Sequence, residues 1–140
     1  GNIYAAIGQE IIRNYERQQP YANQLGYVVD RWTGPGSSYT DPRLTTGATR
    51  NTLFSSYYVE DGSFIRLRNL QIGFNVPSKW LKKFKIESLR VYGVANNLVT
   101  LTKYRGFDPD ISSGSVLSAG VDYGFYPQAR TFMGGIQLKF

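Results

Sequence analysis

The spacing of apolar residues changes period partway along the chain. Near the start they recur four apart, at Ile3, Ile7, Ile11 and Tyr15, with Ala6 and Ile12 alongside. That spacing predicts an amphipathic helix over roughly Ile3 to Arg17, capped by Asn2. Pro20 forbids continuation much beyond Gln19. A second short helix fits Tyr21 to Trp32, and Thr33-Gly34-Pro35-Gly36-Ser37-Ser38 opens a loop over residues 33–56. From Tyr57 the period becomes two. In Leu70-Gln71-Ile72-Gly73-Phe74-Asn75-Val76 the apolar residues take even positions, whereas upstream Ile65 and Leu67 are odd. The phase slips at Arg68-Asn69, where a bulge or a change of surroundings is expected. Pro77 ends this strand. Ser78 to Lys85 reads as a short turn with helical character, Ser78 being its N-cap.

A second strand spans Ser88 to Lys103, with Leu89, Val91, Gly93, Ala95, Val99 and Leu101 on one parity. At roughly 16 residues it far exceeds the usual strand of globular proteins. Gly106 to Gln128 is a Gly-, Ser-, Asp- and Pro-rich loop, and a third strand runs from Arg130 to Phe140 with Phe132, Gly134, Ile136, Leu138 and Phe140 on its even face. The fold class is therefore mainly β: three long antiparallel strands preceded by a helical and loop segment. Residues 1–61 form that segment and 62–140 carry the strands. A transmembrane barrel fits such strands, and so does a soluble sandwich burying the same faces.

Composition narrows the chemistry. There is no Cys and no His, which removes disulfides, thiol catalysis, His-based triads and most transition-metal sites. The net charge of +6 is scattered, apart from Lys79, Lys82, Lys83 and Lys85, so no nucleic-acid partner is expected. No apolar run reaches the ~20 residues of a membrane-spanning helix, but a membrane strand needs only ~10 alternating residues. Gly1 in place of an initiating Met suggests a tag scar or an excised fragment.

The order of motifs from Tyr58 onward carries a resemblance. Tyr58-Val59-Glu60-Asp61-Gly62-Ser63-Phe64-Ile65-Arg66-Leu67-Arg68-Asn69-Leu70 is followed by Gly73-Phe74-Asn75-Val76-Pro77, then Leu89-Arg90-Val91-Tyr92 and Asn96-Asn97-Leu98. Tyr104-Arg105-Gly106-Phe107-Asp108-Pro109-Asp110, Gly120-Val121-Asp122-Tyr123-Gly124 and Tyr126-Pro127-Gln128-Ala129-Arg130-Thr131-Phe132 complete the series, with Arg31-Trp32-Thr33-Gly34 upstream. In order and spacing these resemble the C-terminal part of SusC/RagA-type TonB-linked outer-membrane transporters. Asp110 departs from the family's usual Glu.

The resemblance implies the last strands of a plugged barrel of about 22 strands, residing in the outer membrane and importing glycan or peptide nutrients. It also implies outer-membrane lipid and a SusD-like lipoprotein as partners. TonB, which supplies the energy, would bind an N-terminal part outside this chain. Loop lengths orient the strands independently: the short turn 77–87 is expected to be periplasmic, and the long loop 104–129 extracellular with residues 1–61. Lipid should then meet the even positions of the first and third strands and the odd positions of the second. Trp80, Phe84, Tyr92 and Phe140 are candidates for interfacial girdles. Arg66 and Arg68 should stand clear of the hydrocarbon.

Two groups of residues stand out as sites. Tyr123, Phe125 and Tyr126 are candidates for substrate or partner contact, since aromatic faces stack on sugars and peptide side chains; loop packing or partner contact is the favoured explanation. Gly135, Leu138 and Phe140 resemble the signal read by the outer-membrane assembly machinery, although Met133 stands where a polar residue is usual. Asp108, Asp110 and Asp122 lack the spacing of a Ca²⁺ loop and read as turn formers. Glu60 and Asp61, adjacent on a strand, make a poor acid/base pair, and a turn at Asp61-Gly62 accounts for them. No catalytic residue, cofactor or metal site is identified. The alternative function is a soluble β-domain binding carbohydrate or polyanion through exposed aromatic and basic residues.

Overall fold

The computed structural model describes residues 1–18, 23–44, 49–81, 86–111 and 116–140. They fall into two compact units. The first comprises Gly1–Ile7, Ser63–Thr102 and Pro127–Phe140; the second comprises Gly8–Gly62 and Lys103–Tyr126.

The first unit is one sheet of order β1-β4-β5-β7, built from β1 (Asn2–Ala6), β4 (Phe64–Asn75), β5 (Ser88–Thr102) and β7 (Thr131–Lys139), each antiparallel to its neighbour. The three long strands match the alternation of the sequence to within two residues at each end. Their register joins the apolar positions into ladders: Leu70, Ile72 and Phe74 pair with Ala95, Gly93 and Val91, and Leu89, Val91 and Ala95 pair with Leu138, Ile136 and Phe132.

The phase slip at Arg68 is real and is shared by three strands. Asn2 and Ile3 are consecutive in β1, yet pair with Asn69 and Leu67 of β4. Those same two residues of β4 pair with Asn96 and Val99 of β5. Each strand thus holds one more residue than its neighbour at this level. Asn97 absorbs the irregularity with a φ of 51°, a region Asn tolerates. An amide ladder crosses the slip: Asn69 Nδ2 donates to Asn96 Oδ1 at 2.8 Å, and Asn96 Nδ2 donates to Thr131 Oγ1 at 3.1 Å. Beyond the slip Ile65 and Leu67 pair with Leu101 and Val99, so odd rather than even positions of β4 carry the ladder, while Phe64 and Arg66 are buried.

The expected N-terminal helix is largely absent. Asn2–Ala6 is the edge strand β1, Gly8 turns the chain with a φ of 77°, and Glu10–Arg13 is a second strand, β2. Only α1 (Asn14–Gln18) is helical. A spacing of four satisfies a two-residue period as well as a helical one, and pairing with β4 decides between them. The predicted turn after β4 is present as α2 (Ser78–Leu81), which starts at Ser78 itself; Lys82, Lys83, Phe84 and Lys85 lie outside the described residues.

The second unit holds a small sheet of order β3-β2-β6. β3 (Val59–Asp61) runs antiparallel to β2, and β6 (Val121–Asp122) runs parallel to it. The helix expected over Tyr21 to Trp32 is reduced to a 3-10 turn at Gly26–Asp30, with Tyr21 and Ala22 outside the described residues. Gly62 is buried where an added Cβ would overlap the Ile11 side chain, and its N–H donates to Gln9 O at 2.8 Å. Instead of a free Asp61-Gly62 turn, Asp61 ends β3.

Candidate functional site

Two arrangements in the described residues have functional content: a braced loop cluster in the second unit and an apolar ladder in the sheet unit.

The loop cluster is organised by a charge. Arg13, at the end of β2, is 0% exposed. Its guanidinium meets the Glu16 carboxylate, lies 2.9 Å through Nε from Glu60 Oε1, and donates through Nη2 to Tyr57 O at 2.8 Å. The Tyr27 hydroxyl accepts another of its N–H groups. The rings of Tyr57, Tyr27 and Tyr58 lie 5.0, 5.4 and 6.0 Å from it, within cation–π reach. Glu60 also receives Arg105, through the backbone N–H at 3.0 Å and through Nε at 2.8 Å, and Arg105 extends to Asp41 at 3.2 Å. Asp41 additionally accepts from the Tyr57 hydroxyl at 3.1 Å.

The electrostatics follow from this packing. Burial raises the Glu16 carboxyl above its ordinary range, against the pull of Arg13 and Arg105. Burial would also raise Asp41, but hydrogen bonds from Thr40, Arg105 and Tyr57 more than offset it and leave the group lowered. Among the described residues, Tyr15 Oη and Glu16 Oε1 are buried without a hydrogen-bond partner. Glu60, weighed in the sequence only as half of an acid/base pair, is held here between two arginines.

Asp122 positions the aromatic loop. Almost fully buried on β6, it accepts through Oδ1 from the backbone N–H groups of Gly124 at 2.7 Å and Phe125 at 3.2 Å. Through Oδ2 it accepts from the Tyr104 hydroxyl at 2.7 Å. Burial, then Asp122, pushes the Tyr104 hydroxyl well above its ordinary pKa. Gly124 completes the turn with a φ of 90°. Tyr123 and Phe125 meet edge to face at 6.4 Å, and both remain substantially exposed, as does Tyr126. The structure therefore brings the three expected contact residues together on a braced turn. Asp108 folds back on Asp110 N at 2.9 Å, an Asx-turn distinct from the Asp122 brace.

In the sheet unit, the apolar ladder lies open: Ile72 is 69% exposed, and Phe74, Phe132, Ile136 and Leu138 are exposed with it. Gly135 is off this face. It pairs with Tyr92, whose ring occupies the space a Cβ at Gly135 would need. On the other side Gly73 also pairs with Tyr92, and the Arg90 guanidinium lies where its Cβ would be. Tyr92 thus packs on the face opposite the ladder, not among interfacial girdle residues, whereas Trp80 and Phe140 are exposed. Arg66 is buried, donating through Nε to Thr100 Oγ1 at 2.9 Å, and the Arg68 guanidinium lies 3.9 Å over the Tyr4 ring. Of the three residues read as an assembly signal, Leu138 and Phe140 share the ladder's parity and Gly135 has its own packing role.

No protein-family model matches the chain. TonB-dependent receptor P3 of Formosa agariphila is 37% identical over 145 residues, covering 97% of this chain and 14% of that receptor. TonB-dependent receptor SusC of Bacteroides thetaiotaomicron is 33% identical over 87 residues, covering 61% of this chain and 8% of that protein. The solved structure of the RagAB peptide importer in its open-open state superposes with a TM-score of 0.71 at 28% identity, covering 99% of this chain and 15% of the matched one. The chain accordingly spans a small part of the length of each relative. These relatives are receptors and importers by name. Sequence and fold agree across nearly the whole chain: it belongs with the SusC/RagA-type TonB-dependent receptors, of whose length it spans a small part.

Proposed function

We propose that this chain is a wall-and-loop segment of an outer-membrane importer of glycan or peptide nutrients driven through TonB. One observation carries the reading: the cross-strand register collects the apolar side chains of β4, β5 and β7 into a ladder that nothing among the described residues of the sheet unit covers. Lipid is the occupant that such a ladder on long antiparallel strands fits. A soluble β-domain would need these side chains buried, so that reading is not favoured. No helix among the described residues is long and apolar enough to cross a membrane.

In this arrangement the turn 77–87 faces the periplasm, and residues 8–62 and 103–126 face outward. Tyr123, Phe125 and Tyr126 contact substrate or a SusD-like lipoprotein from their braced turn. Leu138 and Phe140, with Gly135, serve barrel assembly. TonB binds a part of the longer protein outside this chain.

Cysteine accessibility in the full-length protein tests the orientation. Tyr126→Cys should react with a membrane-impermeant maleimide on intact cells, and Ser78→Cys only after the outer membrane is permeabilised. Labelling of Ser78→Cys alone on intact cells would reverse the assignment, and equal labelling of both in a soluble fraction would end the membrane reading.

A further inference from the structure

The second unit contains a groove that the reading above does not use. It measures about 410 Å³ and lies between Trp32, Tyr39, Asp41, Arg50, Asn51 and Ser55. One wall is a closed loop. Trp32 N–H donates to Asp41 O at 3.0 Å, and Ser37 Oγ accepts from Thr33 N–H at 2.8 Å and Gly34 N–H at 3.0 Å. Ser38 Oγ accepts from Asp41 N–H at 3.2 Å. This bonding holds Tyr39, which is 95% exposed, on a fixed backbone. A large aromatic side chain so exposed has no packing role within the described residues.

The polar groups of the groove divide sharply into spent and free. Asp41 is its one acidic lining residue. Oδ1 is taken by Tyr57 and Arg105, and Oδ2 by Thr40 at 2.9 Å. The Asn51 side chain donates through Nδ2 to Arg43 O at 3.2 Å. Among the described residues, no hydrogen bond or ion pair engages the Arg50 guanidinium, the Trp32 indole N–H, the Tyr39 hydroxyl or the Ser55 hydroxyl. The groove therefore offers a cation, several donors and two aromatic faces, and no unspent carboxylate to receive an amino group. A ligand that fits must be rich in acceptors, carry negative charge and present a flat C–H face to a π-system. An acidic sugar has all three properties. An ammonium group would find no unspent carboxylate in this groove to pair with, whereas an acid group finds Arg50.

We infer that the Trp32–Tyr39–Arg50 groove is a saccharide subsite selective for sugars bearing a carboxylate or sulfate. The ring stacks on the aromatic walls, and the acid group pairs with Arg50. The inference rests on the importer reading and narrows its substrate class.

The test uses the full-length protein in detergent, titrated calorimetrically with four probes: tetragalacturonate, a sulfated galactan tetrasaccharide, maltotetraose and a tetra-Glu peptide. At least one acidic saccharide should bind saturably and more tightly than maltotetraose and the peptide. Arg50→Gln should weaken that binding by about 10–100-fold and leave maltotetraose unchanged. Tyr39→Ala, at a side chain too exposed to support the fold, should weaken it by about 2–10-fold. The inference is overturned if no acidic saccharide binds, if the peptide binds as well or better, or if neither substitution changes the affinity. The maleimide experiment above does not depend on any ligand, so loss of the subsite and loss of the importer reading are separate results.

Discussion

The two units of this chain solve opposite problems with the same amino acids. The sheet unit carries nine Lys and Arg against one Asp or Glu, exposes its apolar ladder, and buries few side chains, Phe64, Arg66 and Leu81 among them. The loop unit carries seven Lys and Arg against nine Asp and Glu, and buries Arg13 and Asp122 more completely than most of its apolar residues. Hydrogen bonding in the sheet unit comes mainly from its ladders, which need only backbone. The loop unit has two- to four-residue strands and substitutes side-chain charge pairs and tyrosine hydroxyls for the missing ladder. Regular backbone thus frees side chains to face a solvent such as lipid, whereas irregular backbone consumes them internally.

Breaking the ion network should separate the units most clearly. Arg13→Met leaves the Glu16 and Glu60 carboxylates facing each other without the guanidinium, a loss of about 3–5 kcal/mol. Proteolysis of the full-length protein should then cut within residues 8–62 and 103–126 while the strands stay protected; equal protection of both regions would contradict the contrast. Next in size is Ile72→Arg, which places a charge on the ladder at a cost of about 2–4 kcal/mol in the bilayer core. The amount of protein assembled in the outer membrane reports it, and Gln71→Arg on the other face should be tolerated. If the two behave alike, the sheet is not two-sided.

Smaller effects refine the comparison. Tyr104→Phe removes a donor from a buried carboxylate and should cost about 1–3 kcal/mol, loosening the Tyr123–Tyr126 turn in hydrogen exchange. The same hydroxyl makes the loop unit sensitive to alkali. Its folded pKa lies above the ordinary 10.0, so the neutral form is favoured on folding. The associated stability is complete below that pH and is lost as pH rises further. Melting curves should fall above about pH 10 in the parent and less steeply in Tyr104→Phe. The smallest effect is Lys139→Ala. Its 2.8 Å pair with Glu87 is largely exposed, and thermal melting should detect a loss of no more than about 1 kcal/mol.

The long strands were legible because alternation over ten or more residues is hard to imitate, and even the phase slip at Arg68 showed as a switch from odd to even apolar positions. The N-terminal strand was not, since Ile3, Ile7 and Ile11 satisfy both periods and only the partner strand distinguishes them. The exposed aromatic turn could be read from its composition, but its brace could not. Tyr104 and Asp122 are 18 residues apart, Glu60 and Arg105 are 45 apart, and Arg105 and Asp41 are 64 apart. No local pattern encodes such pairings. The buried arginine has no sequence signal either: Arg13 follows Ile11 and Ile12 as an ordinary polar flank of an apolar stretch.

The staggered bulge across β1, β4 and β5 constrains how this segment can change over evolution. Deleting one residue from a single strand there would turn every side chain beyond the cut to the opposite side and present Arg66 or Asn96 where Ile or Val belongs. Length changes at this level are therefore tolerated only when adjacent strands change together. Homologous sequences should show gaps near Arg68 and Asn97 that appear and disappear as a pair.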